Sequence, residues 1–368
     1  MNIEKLVNLF QNTHNELQSR AARSVDIYLV VRNWLFGWYI VEFEQNGENR
    51  AEYGKKLITT LSERLKEKGI KGVSLTNLKQ FRQFFETYRQ ISQALPDQSP
   101  NALQKITQAL PAELDKLLET MPNTIEYLSS RFVLGWTHYV TLMTVKNDEE
   151  RRFYEIEAAE NGWGYRELER QINSALFERL ALSKNKEKVK ELSEKGQIIE
   201  KPQDVIKNPF VLEFLNLPEY PHYSEHQLET AIIDKLEPFI LELGKGFLFE
   251  SRQKRFSFDN RHFYVDLVFY NRLLKCFVVI DLKIGDLKHQ DLGQMQMYVN
   301  YFDRYVKTEE ESPTVGILLC LTKSDSLVEL TLPKDSNIYA SNYQLYLPSK
   351  EELKKQIEEA EREFSKKK

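Results

Sequence analysis

The first half of the chain spaces its apolar residues at a helical period, and the second half switches to short apolar runs of strand length. Between Ala22 and Phe43, the residues Tyr28, Leu29, Val31, Trp34, Leu35, Trp38, Tyr39 and Val41 make an apolar face too wide for an isolated surface helix, with Gly47 as its stop. Glu52–Lys66 reads as the next helix and Gly69 to Gly72 as a turn. Ser74 reads as the N-cap of a helix reaching Tyr88. Helix, glycine-bearing turn and capped helix form the outline of a helix-turn-helix. On the second of these helices Leu75, Leu78, Phe81, Phe84 and Phe85 are expected to face inward. Asn77, Lys79, Gln80, Arg82 and Gln83 are left for DNA binding, since such side chains address base edges and phosphates. Any soluble packing helix displays the same residue types, so both readings stand.

Pro96–Pro122 is a proline-punctuated connector with a helical middle. Arg131–Leu142 and Asp148–Leu180 read as further helices, cored by Trp136, Tyr139, Phe153, Tyr154, Trp163, Leu168 and Ile172. His138 fits a core histidine better than a catalytic base. Arg166, Arg170 and Arg179 either form a basic stripe or pair with Glu155, Glu167 and Glu178. The composition shifts at Ser183–Lys201, which is charged and lacks aromatics. The expected division is therefore a helical domain over 1–183, a charged connector over 184–207, a second domain over 208–350 and a charged helical tail over 351–368.

In the second domain Ser224 opens a helix as a capping box with Gln227, and Pro238 is expected to bend it. Leu228, Ile232, Ile233, Leu236, Phe239 and Ile240 define its apolar face. Glu229 falls one turn before Ile232 and Ile233, among the apolar positions, where a carboxylate is costly unless something pairs with it. Strands follow at Gly246–Phe258, His262–Tyr270 and Cys276–Lys283. A hairpin centred between Leu273 and Leu274 sets Asp266 opposite Asp281. Like charges facing each other weaken a sheet, so two carboxylates embedded in apolar runs suggest a cation between them. Lys283 projects from the same side of its strand as Asp281.

Oxygen donors without histidine or cysteine suit magnesium, with manganese as the second choice. Such a metal lowers the pKa of a bound water and stabilises charge on a phosphate under attack, with the lysine assisting. Asp-Leu-Lys alone is an ordinary strand-end salt bridge. Asp266 and Glu229 change that reading, so Glu229, Asp266 and Asp281 are the expected metal ligands. Next comes a helix, His289–Tyr305, on which Gln294 and Tyr298 share a face. They either rim the carboxylate site or pack on the sheet. Thr314–Leu321 completes a right-handed strand–helix–strand unit, and Ile338–Tyr346 is expected to close the sheet edge. The fold class is α+β overall: an all-helical domain, then an α/β core with a mixed sheet.

Charge and cysteine usage narrow the partners. A net charge of −4 argues against a globally basic coat but leaves room for a local basic groove. The two cysteines, Cys276 and Cys320, sit in apolar runs and read as buried thiols, which removes zinc on ligand supply. No apolar run approaches the roughly 20 residues that span a bilayer, and Met1–Arg23 is polar, so a cytoplasmic protein without a membrane partner is expected.

The order helix, three strands, helix, strand, with Glu…Asp…Asp-x-Lys, resembles the PD-(D/E)xK nuclease superfamily, whose core is that of the restriction endonucleases. FYVDLVFYNRLLKCFVVIDLK followed by GQMQMYVNYFD is similar to the catalytic domain of the YhcG-like PDDEXK nucleases. RAEYGKKLITTLSERL, NLKQFRQFFETY and RFYEIEAAENGWGYRELERQINSALFERL extend the resemblance into the first half. It implies a bacterial protein with a helical, DNA-binding-like domain joined to a magnesium-dependent DNA endonuclease, working in defence or DNA processing beside a restriction system. It also implies pairing of two sites in a homodimer. By motif position Asp266, Asp281 and Lys283 are the catalytic residues, Glu229 the helix carboxylate and Gln294 the first residue of a QxxxY element. Val265 stands where the superfamily name has proline, and Asp281 where glutamate is more usual in this family. The alternative is a DNA-binding or assembly protein that keeps the nuclease fold but is catalytically silent.

Overall fold

The structure is a computed structural model describing residues 7–8, 10–11, 13, 25–46, 56–92, 124–181, 186–218, 223–333 and 335–349. The connector at 96–122, Gly47 and the tail at 351–368 lie outside the described residues. The chain divides into two compact units, Met1–Arg151 with Ala158–Leu168, and Arg152–Glu157 with Glu169–Lys368. Among the described residues no helix is long and apolar enough to cross a membrane.

The first unit is helical. Helix α1 (Val25–Asn46) packs on α3 (Leu75–Thr87), and α2 (Leu57–Glu67) precedes the turn between them. Gly69 and Gly72 take positive φ in that turn, and Ser74 Oγ accepts from the backbone N–H of Asn77, capping α3. Gly37 lets α1 approach α3: a Cβ there would lie 1.9 Å from the carbonyl oxygen of Phe81. Trp34 meets Phe85 edge-on at 5.0 Å, and Phe36 meets Phe81 at 6.1 Å. Leu78, Phe81, Phe84 and Phe85 are buried as expected, but Leu75, at the first helical position, is 43% exposed.

The run Arg131–Leu142 is not one helix. Residues 124–131 are helical, Phe132–Gly135 are not, and α4 (Trp136–Leu142) starts afresh behind Gly135. The span 148–180 is likewise three helices, α5 (Asp148–Asn161), α6 (Tyr165–Asn173) and α7 (Leu176–Ala181). Gly162 and Ala175, both with positive φ, break it. His138 is half-buried with Nε2 2.9 Å from the Trp163 carbonyl, a structural contact.

The second unit is built on a six-stranded mixed sheet in the order β1-β6-β5-β4-β3-β2. The strands are β1 (Phe210–Val211), β2 (Phe247–Phe258), β3 (Arg261–Asn271), β4 (Cys276–Asp286), β5 (Val315–Thr322) and β6 (Ile338–Gln344). Pairs β2–β3 and β3–β4 are antiparallel; β4–β5, β5–β6 and β6–β1 are parallel. The strand Ile338–Gln344 is therefore not the edge, because the two-residue β1, unnoticed in the sequence, covers it. Alternation along β4 sends Val278, Ile280 and Leu282 to one core and Val279 to another. The first core is roofed by α9 (Glu225–Asp234) and α10 (Leu236–Leu243), the second by α11 (His289–Tyr305). Helix α8 (Lys186–Lys195), in the charged stretch before β1, buries Leu192 and Ser193. The short α12 (Asp325–Thr331) follows β5.

Ser224 and Gln227 form the expected reciprocal cap of α9. Pro238 does more than bend the helix: α9 stops at Asp234, the residue whose carbonyl a proline four positions later would strike, and α10 restarts beyond Lys235. Arg170 pairs with Glu213 at 2.8 Å and Glu242 at 3.3 Å, and Arg179 with Glu242 at 2.5 Å. These partners lie far along the chain from the glutamates that the sequence placed nearest. Cys276 and Cys320 are free and buried, as expected.

Candidate active site

The β3–β4 ladder keeps the register expected from the hairpin, from Asn271↔Cys276 to Leu267↔Ile280. It then opens. At the next position the backbone N–H of Leu282 donates to Asp266 Oδ2 at 2.9 Å, so a side-chain carboxylate takes the place of a strand carbonyl. Asp266 and Asp281 are thus not a ladder pair, which corrects the strict cross-strand expectation, but they still feel each other electrostatically. Asp281 is 2% exposed, and its carboxyl is pushed up to about 7, first by burial and then by the charge of Asp266. The ammonium of Lys283, 2.6 Å from Asp281 Oδ2, pulls the other way without cancelling the effect. That ammonium is the partner of the buried Oδ2.

Burial alone would lower the Lys283 ammonium. Asp281, Glu225 and Asp266 outweigh it and hold the group charged well above the ordinary lysine range. Glu225, in the first turn of α9, lies 3.6 Å from the Lys283 nitrogen. One turn on, Glu229 is 3% exposed, which explains its place among apolar positions: it is roofed by its own helix yet aimed at polar partners. Its Oε2 accepts from the Gln253 amide at 2.7 Å, and the same amide donates to Asp266 Oδ1 at 3.1 Å.

Gln294 donates to the Tyr298 hydroxyl, which in turn donates to the backbone carbonyl of Tyr264 at 2.7 Å. Tyr298 is almost wholly buried and its hydroxyl is raised to about 12, by burial first; Gln294 works against this, while Asp281 and then Asp266 add to it. The pair therefore packs on the sheet and also touches the field of the two aspartates.

Among the described residues no three His, Cys, Asp or Glu side chains stand as a closed ligand set. The Gln253 amide joins Glu229 to Asp266, and the Lys283 ammonium pairs with Asp281 and Glu225. The donor set nevertheless fits a divalent cation. Asp281 is a buried carboxylate whose acid is raised by burial and then by the adjacent Asp266, and all the donors are hard oxygens.

A family model described as the YhcG PDDEXK nuclease domain matches residues 203–358, the span holding every strand among the described residues and each of these side chains. A model described as the DUF1016 N-terminal domain matches residues 10–179. The Escherichia coli (strain K12) protein named "Putative nuclease YhcG" is 36% identical over 346 residues, covering 91% of this chain and 88% of the relative. The chain belongs to the YhcG family of PDDEXK nucleases. A solved structure described as a repair endonuclease from Pyrococcus abyssi shares 22% identity with a TM-score of 0.23, covering 34% of this chain and 49% of that one. That likeness is too partial to bear on the site.

Within this YhcG-family domain, sequence reasoning missed Gln253 and Glu225. Gln253 sits in SRQKRF with no outward signal. Its φ of 47° follows a register shift between Phe249 and Ser251, and that shift sets it across from Asp266. Glu225 reads as an N-terminal helix acid favoured by the helix dipole, and only its distance to Lys283 marks it. In the helical unit Lys79 and Gln83 are exposed, whereas Gln80 is half-buried. Asn77 Nδ2 donates to the Gly72 carbonyl at 3.0 Å and Arg82 pairs with Glu44 at 3.1 Å.

Proposed function

We propose that the chain is a divalent-metal-dependent deoxyribonuclease, acting as an endonuclease with magnesium as the working ion and manganese as a substitute. The observation that carries this reading is the Asp281–Lys283 ion pair beside Asp266, in a domain of the PDDEXK nuclease family. Glu229, Asp266 and Asp281 would hold the metal, whose chemistry is to acidify water and neutralise charge on the phosphate. Lys283, kept charged by three carboxylates, is suited to orienting the attacking water and to stabilising negative charge as it develops on the phosphoryl oxygens. Tyr298 and Gln294 fix the β3 backbone at Tyr264, next but one to Asp266, and so position that carboxylate. On the helical unit Lys79 and Gln83 present the outermost contacts for DNA, with Gln80 beside them, while Asn77 and Arg82 serve the turn and the Glu44 pair. The family resemblance extends the reading to bacterial defence or DNA processing and to a homodimer cutting duplex.

Supercoiled, linear and branched DNA incubated with the protein and magnesium should be cut, with chelator abolishing the reaction. Lys283→Ala should lower the rate by at least about a hundredfold while leaving DNA affinity nearly intact. Cleavage unchanged in that variant would remove the assignment. Binding without cleavage in the unaltered protein would instead identify the silent, DNA-binding alternative.

A further inference from the structure

The β2–β3 hairpin carries a polar stripe that neither the fold nor the carboxylate site uses. Pairing sets Arg255 opposite Tyr264 and Ser257 opposite His262. These four side chains share the face on which Gln253 meets Asp266. Arg255 Nη2 lies 3.1 Å from both ring nitrogens of His262, and His262 Nδ1 lies 2.7 Å from Ser257 Oγ. A guanidinium that faces an imidazole instead of a carboxylate keeps its charge available to an anion. Arg255, Arg261 and His262 are exposed, and Tyr264 is 46% exposed. The opposite face of the hairpin is spent on packing, where Phe256 stacks on Tyr301 at 4.0 Å and on Phe263 at 5.4 Å.

Charge sharpens the contrast. Between residues 252 and 264 stand Arg252, Lys254, Arg255 and Arg261 against the single acid Asp259, in a chain whose net charge is −4. Lys254 is taken by Glu250 at 2.8 Å and, with Arg252 and Arg261, alternates onto the other face, so the stripe's own cation is Arg255, with Arg252 and Arg261 adding to the field around it. A polyanionic substrate must approach a cluster of carboxylates that repels it, and cations beside the cluster supply the missing attraction. Alternate residues on a strand are about 7 Å apart, so Tyr264 and then His262 lead stepwise away from Asp266.

We infer that this stripe is the track for the DNA strand being cut: Arg255 and His262 hold a phosphate flanking the scissile one, and Tyr264 packs against the sugar beside it. The inference rests on the nuclease reading above and adds the surface that seats its substrate.

The test uses the full-length chain carrying Lys283→Ala, so that DNA survives, in magnesium, with fluorescence anisotropy of a labelled single strand and of a duplex. Adding Arg255→Ala and His262→Ala together should weaken binding of both forms at least about tenfold and reduce the slope of log affinity against log salt by about 1 to 2. Arg255→Lys with His262 intact should keep most of that slope. In the unaltered chain, ultraviolet cross-linking to bromodeoxyuridine-substituted DNA should attach within residues 252–264. Unchanged affinity and slope in variants that melt like their parent, or cross-links confined to other segments, would overturn the track. Failure of the underlying reading shows separately, as an unaltered protein that cuts no DNA form with magnesium.

Discussion

The side-chain amide of Gln253 donates to the carboxylate of Glu229 at 2.7 Å, tying a strand residue with left-handed backbone to a buried acid on the helix above it. A non-glycine residue in that conformation costs on the order of 1 kcal/mol, so the bridge holds the backbone against a local preference. Gln253→Ala keeps the strain and loses the hydrogen bonds, and should destabilise the metal-free protein by about 1 to 3 kcal/mol. Gln253→Gly loses the same bonds but relieves the strain, and should recover about 1 kcal/mol relative to alanine. Magnesium should narrow the gap between both variants and the parent, because under the proposed function a cation would take over as partner of Glu229 and Asp266. Denaturant melts with and without magnesium measure all three differences.

Asp281 sets a pH dependence of definite sign. Its carboxyl ordinarily titrates near 3.8 and is pushed up to about 7 in the fold, by burial first and Asp266 second. Folding therefore favours the protonated acid, and the associated stability is complete below about pH 4 and is lost as pH rises through about 7. In chelator, the melting temperature of the parent should fall across that window relative to Asp281→Asn. Magnesium affinity should rise over the same window, since metal and proton compete for one group. Parallel pH profiles for the two proteins would remove the assignment.

Glu242 behaves in the opposite sense. Burial pushes its acid up, but Arg179, Lys207 and Arg170 outweigh burial and hold it at about 2, against an ordinary 4.5. Its contribution is present above about pH 4.5 and is lost as pH falls toward 2. Glu242→Gln leaves the fully buried Arg179 without its carboxylate, and should cost about 3 to 5 kcal/mol at neutral pH. Urea melts should show the gap between variant and parent shrinking below pH 4.

Gly37→Ala tests the helical unit alone. Its Cβ would fall 1.9 Å from the Phe81 carbonyl oxygen, a rigid backbone atom, so α1 and α3 must separate. A loss of at least about 1 to 3 kcal/mol is expected, visible as a lower thermal midpoint with unchanged helix content in the folded baseline.

Local rules made much of this architecture legible in the sequence. Ser74 and Ser224 cap their helices as their spacing requires, and the hairpin turn fixed the register that leaves Asp266 just beyond the last β3–β4 ladder pair. The breaks at Gly135, Gly162 and Ala175 were not legible, because an apolar periodicity continues through them while the backbone does not. Strand β1 escaped notice because two residues carry no period.

The sequence by itself determined which residues are chemically able to act: the acids Glu229, Asp266 and Asp281, the cation Lys283, and the apolar runs that bury them. Those identities follow from side-chain chemistry and from alternation over a few residues, both of which are local. Tertiary structure alone decided that Asp266 replaces a strand carbonyl opposite Leu282, that Gln253 reaches both Glu229 and Asp266, and that Glu242 collects Arg179 and Arg170. Each of these depends on a register shift or on contacts between distant segments, where the free energy comes from groups meeting in a low-dielectric interior. No short window of sequence contains both partners.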